Sequence, residues 1–448
     1  MKRDVKPGFG GPNSEGSLPA ARRARRSPAI PGGDQSGWIA AVRLTELWLV
    51  RHDRVDSLLE QLTPDLPPRE RARAQHLFYG VVRWASRLEA ALEGLVRRPP
   101  RSRLQAVLLV AGFELFEGGP EAVARVVHHA VEQAKTVTSP AEARLVNAVA
   151  RRAADRLAER PAGLAAEWAH PDWLVDRWLK AFGAEATRQL LEWNQTPASV
   201  YGRWRSPAPM PDFLSPARWP GFFTVKPGPW DDVRTLAADG SLYLQDPSTR
   251  LCVELLGPRP GEDILDACAA PGGKCLLIAD ALAGGAGRLV AVDEPGPRLA
   301  RLQANLSLAP SSVQVALVPA DLRQVGPAFL QGINLPENFD AVLVDAPCTN
   351  TGVMRHRVDV KWRLRPGDFG RHAAHQLVLL RAAARLVRPH GRLVYSTCSL
   401  DPAENEEVVA RFIGENPGWR LDRQMLARPW IDGHDGGGAF RLLPPSRG

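Results

Sequence analysis

The chain has 448 residues and a formal net charge of +8, with 57 Lys and Arg against 49 Asp and Glu, and 44% of its residues are hydrophobic. This composition excludes a largely disordered chain, and the length suggests about three domains. No run of about 18 apolar residues is present, which argues against a membrane span, and the first residues lack the apolar core of a secretory signal. We therefore expect a cytoplasmic protein with no membrane partner, and the basic balance points weakly to a polyanion.

Residues 1–37 predict a disordered basic tail. The segment is rich in glycine and proline and carries Arg22, Arg23, Arg25 and Arg26. Such a composition cannot bury enough apolar area to offset the entropy of ordering. An arm that contacts RNA phosphates and a solvated, variable tail are both open interpretations, and the solvated tail is favoured.

Residues 38–160 predict an all-helical domain, because apolar residues recur there at three- and four-residue spacing. The periodic segments are Val42–Leu49, Leu77–Leu92, Leu104–Phe116, Val123–Val137 and Leu145–Leu157. Pro99-Pro100 and Gly118-Gly119-Pro120 punctuate them. The arginines between positions 69 and 103 either bind RNA or form an ordinary solvated face, and the sequence alone does not decide between the two.

Residues 161–245 predict a small connecting subdomain of mixed α and β structure. Val200–Trp204 and Phe222–Val225 have the composition of short strands, and several prolines interrupt the segment. Its tryptophans are more typical of packing than of stacking on RNA bases.

From residue 246 to the end, short apolar runs alternate with helical stretches, a pattern typical of a doubly wound α/β sheet. The predicted strands are Ile264–Ala267, Leu289–Val292, Val313–Val318, Ala341–Val344 and Leu393–Tyr395. The predicted helices between them include Pro297–Leu308 and His375–Val387.

An aspartate stands at the end of each early strand. Asp266, Asp293, Asp321 and Asp345 follow one another at intervals of 24 to 28 residues, about one βα repeat. A single aspartate at this place is most often a helix cap. Four of them at the edge where such sheets bind ligands favour a polar ligand.

The loop after the first strand consists of small residues, which let a ligand approach the backbone closely. It comprises Cys268, Ala269, Ala270, Pro271, Gly272, Gly273 and Lys274. Since Cys275 follows the lysine and the glycine spacing differs, it is not a Walker loop, and a dehydrogenase needs a fuller glycine pattern. S-adenosylmethionine (SAM) suits the site better, with Asp266 at its methionine end, Asp293 at its ribose hydroxyls and Asp321 at its adenine amino group.

Five cysteines, at positions 252, 268, 275, 348 and 398, contain no CxxC pair. We therefore expect reduced thiols, no disulfide scaffold and no metal site. Cys252 lies on an apolar helical stretch and is interpreted as a small buried hydrophobe.

Cys348 and Cys398 each follow a core strand, so we expect them to face the same crevice as the methyl donor. Two thiols at this place suit methylation of carbon 5 of a pyrimidine. A thiolate that adds to carbon 6 makes carbon 5 nucleophilic, and the second thiol assists release. Asp345 can hydrogen-bond the cytosine amino group or protonated ring nitrogen, which favours cytosine over uracil. The base must leave its stack to be reached.

The chain resembles the Nop2/Sun family of RNA cytosine-5 methyltransferases. The shared motifs are YLQDP at 243–247, LDACAAPGGK at 265–274, DAPCTNTGV at 345–353, DVKWR at 359–363, YSTCS at 395–399 and ENE at 404–406. Upstream, FYGVVRW, VHHAVEQAK and LVNAVARR resemble a helical NusB-like RNA-binding domain, and AHPDWLVDRWL resembles the start of its connecting subdomain. The resemblance covers about residues 40–440.

The resemblance implies a Rossmann-like class I SAM-dependent methyltransferase domain at 246–448. An all-α NusB-like domain at 38–160 and a small α+β connecting subdomain at 161–245 would precede it. It also implies methylation of one cytosine of small-subunit (16S) rRNA, before assembly of the subunit is complete. We expect a monomer.

The resemblance also implies roles for matching residues. Cys398 would be the nucleophile and Cys348 the release cysteine, while Asp345 and Lys274 would contact the target cytosine. SAM would be held by Asp266, residues 268–274, Asp293, Arg298, Asp321 and Asp345.

This sequence departs from the family pattern in three places. Cys275 replaces the usual Thr or Ser, which removes a helix-capping hydroxyl, so we expect a modest loss of local stability. The segment from Asp435 to Arg441 only loosely resembles an Asp-Gly-Phe-Phe ending, and no role is assigned to it. The basic tail is longer than the family requires.

Three other interpretations stay open. Pro347-Cys348 would be the nucleophile if the chain followed DNA cytosine-5 methyltransferases. A non-catalytic RNA-binding factor would need only the helical domain, and the intact residues Cys348, Cys398, Asp345 and Lys274 argue against it. A methyltransferase that acts on proteins or small molecules would share the SAM residues but not the paired cysteines.

Overall fold

The computed structural model describes residues 36–51, 53–62 and 65–445. The predicted tail lies outside the described residues except for its last two positions. Within the part of the chain that is described, no helix combines the length and the apolar content that crossing a membrane requires.

Among the described residues, six helices form the first region of the chain. They are α1 (Gly37–Arg51), α2 (Val55–Leu62), α3 (Pro68–Arg83), α4 (Ala85–Leu92), α5 (Ser102–Val137) and α6 (Pro140–Ala158). Their apolar faces bury Trp38, Val81, Leu109 and Val146 in a shared core. The all-helical prediction for this region is confirmed.

Two helix boundaries differ from the prediction. The segment Leu77–Leu92 is not one helix, because Trp84 leaves helical geometry between α3 and α4 and packs its ring against Phe116, with centroids 4.8 Å apart. The predicted helices on either side of Gly118–Pro120 form the single element α5. It is kinked where Gly119 adopts a φ of 65° and Pro120 removes a backbone donor.

The middle region contains three helices, a small sheet and one further helix. These are α7 (Leu164–Glu167), α8 (Asp172–Phe182), α9 (Ala184–Gln195), β1 (Tyr201–Trp204), β2 (Leu214–Pro216), β3 (Phe223–Val225), α10 (Trp230–Ala238) and β4 (Leu242–Leu244). The antiparallel sheet has the order β2-β3-β1-β4. Trp178 of α8 is fully buried, as a packing role requires.

The third region is a seven-stranded sheet with helices on both faces. Its elements are α11 (Arg250–Leu256), β5 (Asp263–Asp266), α12 (Gly273–Leu282), β6 (Arg288–Asp293), α13 (Leu299–Leu306), β7 (Gln314–Pro319), α14 (Pro327–Gly332), β8 (Phe339–Asp345), α15 (Val360–Arg363), α16 (Asp368–Ala384), β9 (Val387–Thr397), α17 (Glu406–Glu415), β10 (Arg420–Ala427), α18 (Pro429–Asp432) and β11 (Gly437–Leu443). The strand order is β10-β11-β9-β8-β5-β6-β7.

The five predicted strands correspond to β5–β9, which are mutually parallel. The apolar runs of β5, β6 and β8 and the second half of β9 are buried on both faces of the sheet, while β7 lies at the edge and is only partly buried. From β5 the chain adds β6 and β7 on one side and then crosses over to add β8 and β9 on the other, and such a switch point opens a crevice at the carboxyl ends of the strands. The α/β fold prediction is confirmed, and α16 begins and ends earlier than the helix predicted at His375–Val387.

Strands β10 and β11 were not predicted. β10 lies at the sheet edge and carries charged residues, while β11 begins with glycines and contains Arg441, so neither sequence shows a continuous apolar run. β11 pairs antiparallel with β9, and Gly438 lies opposite Thr397. A Cβ atom at Gly437 would lie 2.3 Å from the Thr397 carbonyl oxygen, so this close approach needs glycine.

Candidate active site

The carboxyl ends of β8 and β9 bring the two predicted thiols together. Asp345 of β8 pairs in register with Ser396 of β9, and each strand then turns into a loop that carries a cysteine. Cys348 and Cys398 lie with their Sγ atoms 3.1 Å apart. The crevice therefore presents a thiol pair.

The two thiols differ in acidity. A hydrogen bond with Cys398, and then burial, raises the pKa of Cys348 well above its ordinary value. The same hydrogen bond, donated by Cys348, lowers the pKa of Cys398, although burial opposes the shift. Cys398 is thus the thiol that ionises first, as a nucleophile must.

Asn350 lies against both cysteines. Its Oδ1 atom lies 3.3 Å from Cys398 Sγ, and its Nδ2 atom donates to the Cys348 carbonyl oxygen at 2.8 Å. The residue adopts a left-handed backbone with a φ of 61°, a conformation that asparagine tolerates better than most residues. The sequence analysis did not single it out.

Lys274 and Asp345 form an ion pair beside the thiols. Lys274 Nζ lies 2.5 Å from Asp345 Oδ2, and Ser396 Oγ donates to the other carboxylate oxygen at 2.7 Å. Burial alone would lower the pKa of Lys274, but the Asp345 carboxylate outweighs it and raises that pKa. The lysine stays a cation and the carboxylate has a fixed orientation.

Glu404 forms hydrogen bonds with both of the loops that carry the cysteines. It is fully buried, and its carboxylate accepts hydrogen bonds from the Thr349 main-chain N–H at 3.0 Å and from Ser399 Oγ at 2.6 Å. Thr349 Oγ1 also donates to it, and Gln376 Nε2 donates at 3.0 Å. Thr349 and Ser399 each follow a cysteine, so one carboxylate ties both loops. The sequence analysis matched Glu404 to a family motif but gave it no role.

Asp266 ends β5 on the side of the crevice where the sequence predicts the cofactor. It is buried, and Cys275 Sγ lies 3.1 Å from its Oδ2 atom as a donor, while Oδ1 has no hydrogen-bond partner among the described residues. Burial raises the pKa of this carboxyl to about 6. Cys275 is itself fully buried, and burial raises the pKa of its thiol well above the ordinary value, so it belongs to the support of Asp266.

Asp293 ends β6 and holds the small-residue loop. Its Oδ2 atom accepts from the Ala270 N–H at 2.8 Å, and its Oδ1 atom accepts from Arg298 Nη2 at 3.1 Å. Asn305 Nδ2 donates to the Pro271 carbonyl oxygen at 2.6 Å. Gly272 has a φ of 106°, which a side chain would disfavour.

Asp321 follows β7, and its carboxylate is paired with a neighbouring arginine. Both of its carboxylate oxygens contact Arg323, whose hydrogen bonds lower the pKa of Asp321. An adenine contact at Asp321 stays a prediction, and Arg323 would have to share the carboxylate.

Cys268 lies in the small-residue loop after β5. It is half-buried, and burial raises the pKa of its thiol.

A cavity of about 110 Å³ lies next to the thiol pair. Its wall includes Lys274, Asp345, Ser396, Cys398, Asp246 and Asp435. Asp435, to which the sequence assigned no role, is buried there, and its main-chain N–H donates to Asp246 Oδ1 at 3.2 Å. Cys252 also lines this wall, and burial raises the pKa of its thiol to about 12.

Comparisons with known proteins identify the family and the fold. Residues 253–448 match the family described as 16S rRNA methyltransferase RsmB/F, and residues 39–155 match the NusB family. A ribosomal RNA small subunit methyltransferase B of Serratia proteamaculans is 31% identical over 428 residues, which cover 90% of this chain and 96% of the relative. A probable ribosomal RNA small subunit methyltransferase B of Bacillus subtilis is 31% identical over 389 residues, covering 81% and 84%.

Among solved structures, the crystal structure of PH0851 has a TM-score of 0.74 at 22% identity and covers 93% of this chain and 99% of that chain. A methyltransferase homolog protein from Pyrococcus horikoshii has a TM-score of 0.51 at 22% identity, covering 62% and 96%. At these identities the structures support the fold alone, whereas the sequence relatives span nearly the whole molecule. The chain belongs to the RsmB/F family of 16S rRNA methyltransferases.

Proposed function

We propose that this protein transfers a methyl group from SAM to carbon 5 of a cytosine in 16S rRNA through a covalent adduct between Cys398 and carbon 6. The observation that carries the proposal is the 3.1 Å separation of the Cys348 and Cys398 sulfurs beside the Lys274–Asp345 ion pair. Methyltransferases that act on oxygen or nitrogen atoms need no such thiol pair. The names of the sequence relatives support the choice of small-subunit rRNA.

The residues on the cofactor side fit SAM. The unpartnered Oδ1 atom of Asp266 suits the ammonium group of the methionine moiety, and Asp293, which holds the loop through the Ala270 N–H, would accept hydrogen bonds from the ribose hydroxyls. When bound, SAM supplies an electrophilic methyl group. Asp266, residues 268–274, Asp293, Arg298 and Asp321 would hold it beside the crevice.

The first chemical step is the addition of the Cys398 thiolate to carbon 6 of the cytosine. The new C–S bond moves electrons into the ring and makes carbon 5 nucleophilic. Asp345 would accept a hydrogen bond from the amino group of the base, and the Lys274 ammonium would stabilise the negative charge that develops. Because Ser396 and Lys274 hold the Asp345 oxygens, the carboxylate has a fixed orientation toward the base.

Release of the product reverses the addition. A base removes the proton from carbon 5, the electrons of that C–H bond re-form the double bond between carbons 5 and 6, and the C–S bond breaks toward sulfur. Cys398 leaves as a thiolate. Cys348, which holds its proton because its pKa is raised, donates a hydrogen bond to the departing sulfur.

Trapping of the adduct tests the proposal. Incubated with SAM and unmodified 16S rRNA, Cys348→Ala should accumulate a protein–RNA adduct that survives denaturing electrophoresis, and Cys398→Ala should form none. The opposite result would make Cys348 the nucleophile, as in DNA cytosine-5 methyltransferases. No transfer of tritiated methyl by the unaltered protein, with RNA binding intact, would favour the non-catalytic factor. Bisulfite sequencing of the product then locates the cytosine.

The helical domain is proposed to bind the rRNA, and the structure divides its arginines into two groups. Arg97 and Arg98 are exposed and suited to phosphate contacts. Arg83 and Arg87 instead donate to main-chain carbonyl oxygens of other elements, and Arg103 pairs with Glu46 at 2.5 Å. The predicted basic stretch is therefore only partly available to RNA.

A further inference from the structure

One segment connects the helical domain with the thiol pair. It runs from Thr351 to Arg363, begins three residues after Cys348, and is called the junction segment below. Its last five residues match a family motif that the proposed chemistry does not use. The contacts at its two ends give it a role.

At one end, the junction segment caps helix α3 of the helical domain. Lys361 Nζ donates to the Arg83 carbonyl oxygen at 2.8 Å, and Trp362 Nε1 donates to the Val82 carbonyl oxygen at 2.7 Å. Carbonyls in the last turn of a helix have no partner within that helix, so these side chains supply what the helix lacks. In the opposite direction, Arg83 Nη2 donates to the Arg355 carbonyl oxygen of the junction segment at 3.1 Å.

This docking is buried. Lys361 is 2% exposed, and among the described residues no carboxylate forms an ion pair with it, so burial and the nearby Arg83 lower its pKa well below the ordinary value. Val358 is 1% exposed and joins the apolar cluster of Leu44 and Phe78 from the helical domain. A buried amino group is costly unless it is hydrogen-bonded, so the two domains have a strong preference for this one arrangement.

At its other end, the junction segment bonds to the main chain around the nucleophile. The Gly352 N–H donates to the Cys398 carbonyl oxygen at 2.9 Å, and the Gly352 carbonyl oxygen accepts from the Gly436 N–H at 2.9 Å. Thr351 Oγ1 accepts from the Leu400 N–H at 2.9 Å. A displacement of the segment would therefore move the backbone of Cys398 directly.

We propose that Lys361 and Trp362 are positioning residues through which the docked helical domain fixes the geometry of the thiol pair. The helical domain then contributes to kcat as well as to RNA affinity. The inference rests on the proposed function, because it takes the thiols as the reacting groups. Displacement of a reacting group by about 1 Å can cost about 100-fold in rate, so a loosened junction has a measurable effect.

The test compares two kinds of variant in the full-length protein. Lys361→Met and Trp362→Phe loosen the junction, and the matched control Arg97→Ala/Arg98→Ala changes the exposed face of the same domain. We expect the junction variants to lower kcat by about tenfold or more with little change in the KM for RNA. The arginine variant should raise the KM for RNA, since it changes only the proposed phosphate contacts.

A second readout uses the RNA-free protein. Alkylation of Cys398 by iodoacetamide, followed by mass spectrometry across a range of pH, should shift to higher pH in the junction variants, because the Cys348 hydrogen bond lengthens. The arginine variant should follow the unaltered protein. Circular dichroism checks that the variants fold. If Lys361→Met does not fold, Trp362→Phe carries the test, because it keeps an aromatic ring in place.

Each result has one meaning. An unchanged kcat in a folded junction variant, or an unchanged alkylation profile, would overturn the positioning role while the proposed methyl transfer stands. Failure of the unaltered protein to methylate cytosine would overturn the proposed function, and the alkylation profile would still report on the junction.

Discussion

The two sides of the crevice are supported in different ways. On the predicted cofactor side, β5 and β6 each end in an aspartate. The hydrogen-bond partners of these aspartates come from the loop or helix that directly follows β5 or β6. Asp293, for example, accepts from Ala270 and Arg298. On the thiol side, Glu404 and the junction segment hold two loops that lie about 50 residues apart in the chain. The cofactor side is thus a local structure, and the thiol side depends on the tertiary fold.

The largest effect should follow from a change of Glu404. In Glu404→Gln an amide replaces a carboxylate that only accepts hydrogen bonds, so an NH₂ group faces the donors of Thr349, Ser399 and Gln376. We expect kcat to fall by about 100-fold. Steady-state methyl transfer measures it, with the exposed Glu407→Gln as the matched control. Equal losses in both variants would contradict a specific hold on the cysteine loops.

A smaller effect is expected for the pH dependence of the affinity for SAM. Because burial raises the pKa of Asp266 to about 6, the carboxyl is mostly protonated at pH 5 and mostly ionised at pH 7. An ammonium ligand needs the ionised form, so the affinity for SAM should rise by about tenfold as the pH increases from 5 to 7. Isothermal titration calorimetry at several pH values checks this.

Asp266→Asn is the control for that titration. Its affinity for SAM should be weak and nearly independent of pH over the same range. A pH dependence that persists in Asp266→Asn would assign the titration to another group.

The acidity of Cys398, the proposed nucleophile, should change by a smaller factor. Cys348→Ala removes the donor that lowers the pKa of Cys398, so alkylation of Cys398 at pH 7 should slow by several-fold. Cys348→Ser keeps a donor at the same place and should retain most of the rate. Equal rates in the alanine variant and the unaltered protein would show that the hydrogen bond does not set the acidity.

The smallest effect concerns Cys275. Cys275→Ala deprives the buried Asp266 of its thiol donor and should lower the free energy of unfolding by about 1–2 kcal/mol. Cys275→Ser restores a donor and should differ little from the unaltered protein. Urea denaturation monitored by tryptophan fluorescence compares them, and a loss in Cys275→Ser as large as in Cys275→Ala would mean that packing volume decides the stability.

The comparison also explains what could be predicted. Strands β5–β9 are continuous apolar runs, and Asp266, Asp293 and Asp345 stand directly at their ends, so local patterns were sufficient to find them. Glu404 bonds to Thr349 across 55 residues, and Lys361 bonds to Arg83 across 278. No periodicity or spacing marks a pairing of that kind.

Strands β10 and β11 were missed for another physical reason. An edge strand with charged residues and a strand that starts with glycines both lack the signals of a buried strand. Gly437 is explained by the close approach of β11 to Thr397 at the end of β9, whereas a Cβ atom at Gly436 would meet Leu400 and Pro429, and one at Gly438 would meet Asn405. The segment from Asp435 to Arg441 departs from the family pattern, and the sequence alone gave it no role. The packing around its glycines accounts for this departure.

We expect the close sulfur pair to make the protein sensitive to oxidants. Two thiols 3.1 Å apart need to approach by about 1 Å to reach the length of an S–S bond. Peroxide could remove two electrons and two protons from the pair and be reduced to water, and the resulting disulfide would leave no nucleophile. We expect activity that is lost in air or peroxide and returns with dithiothreitol.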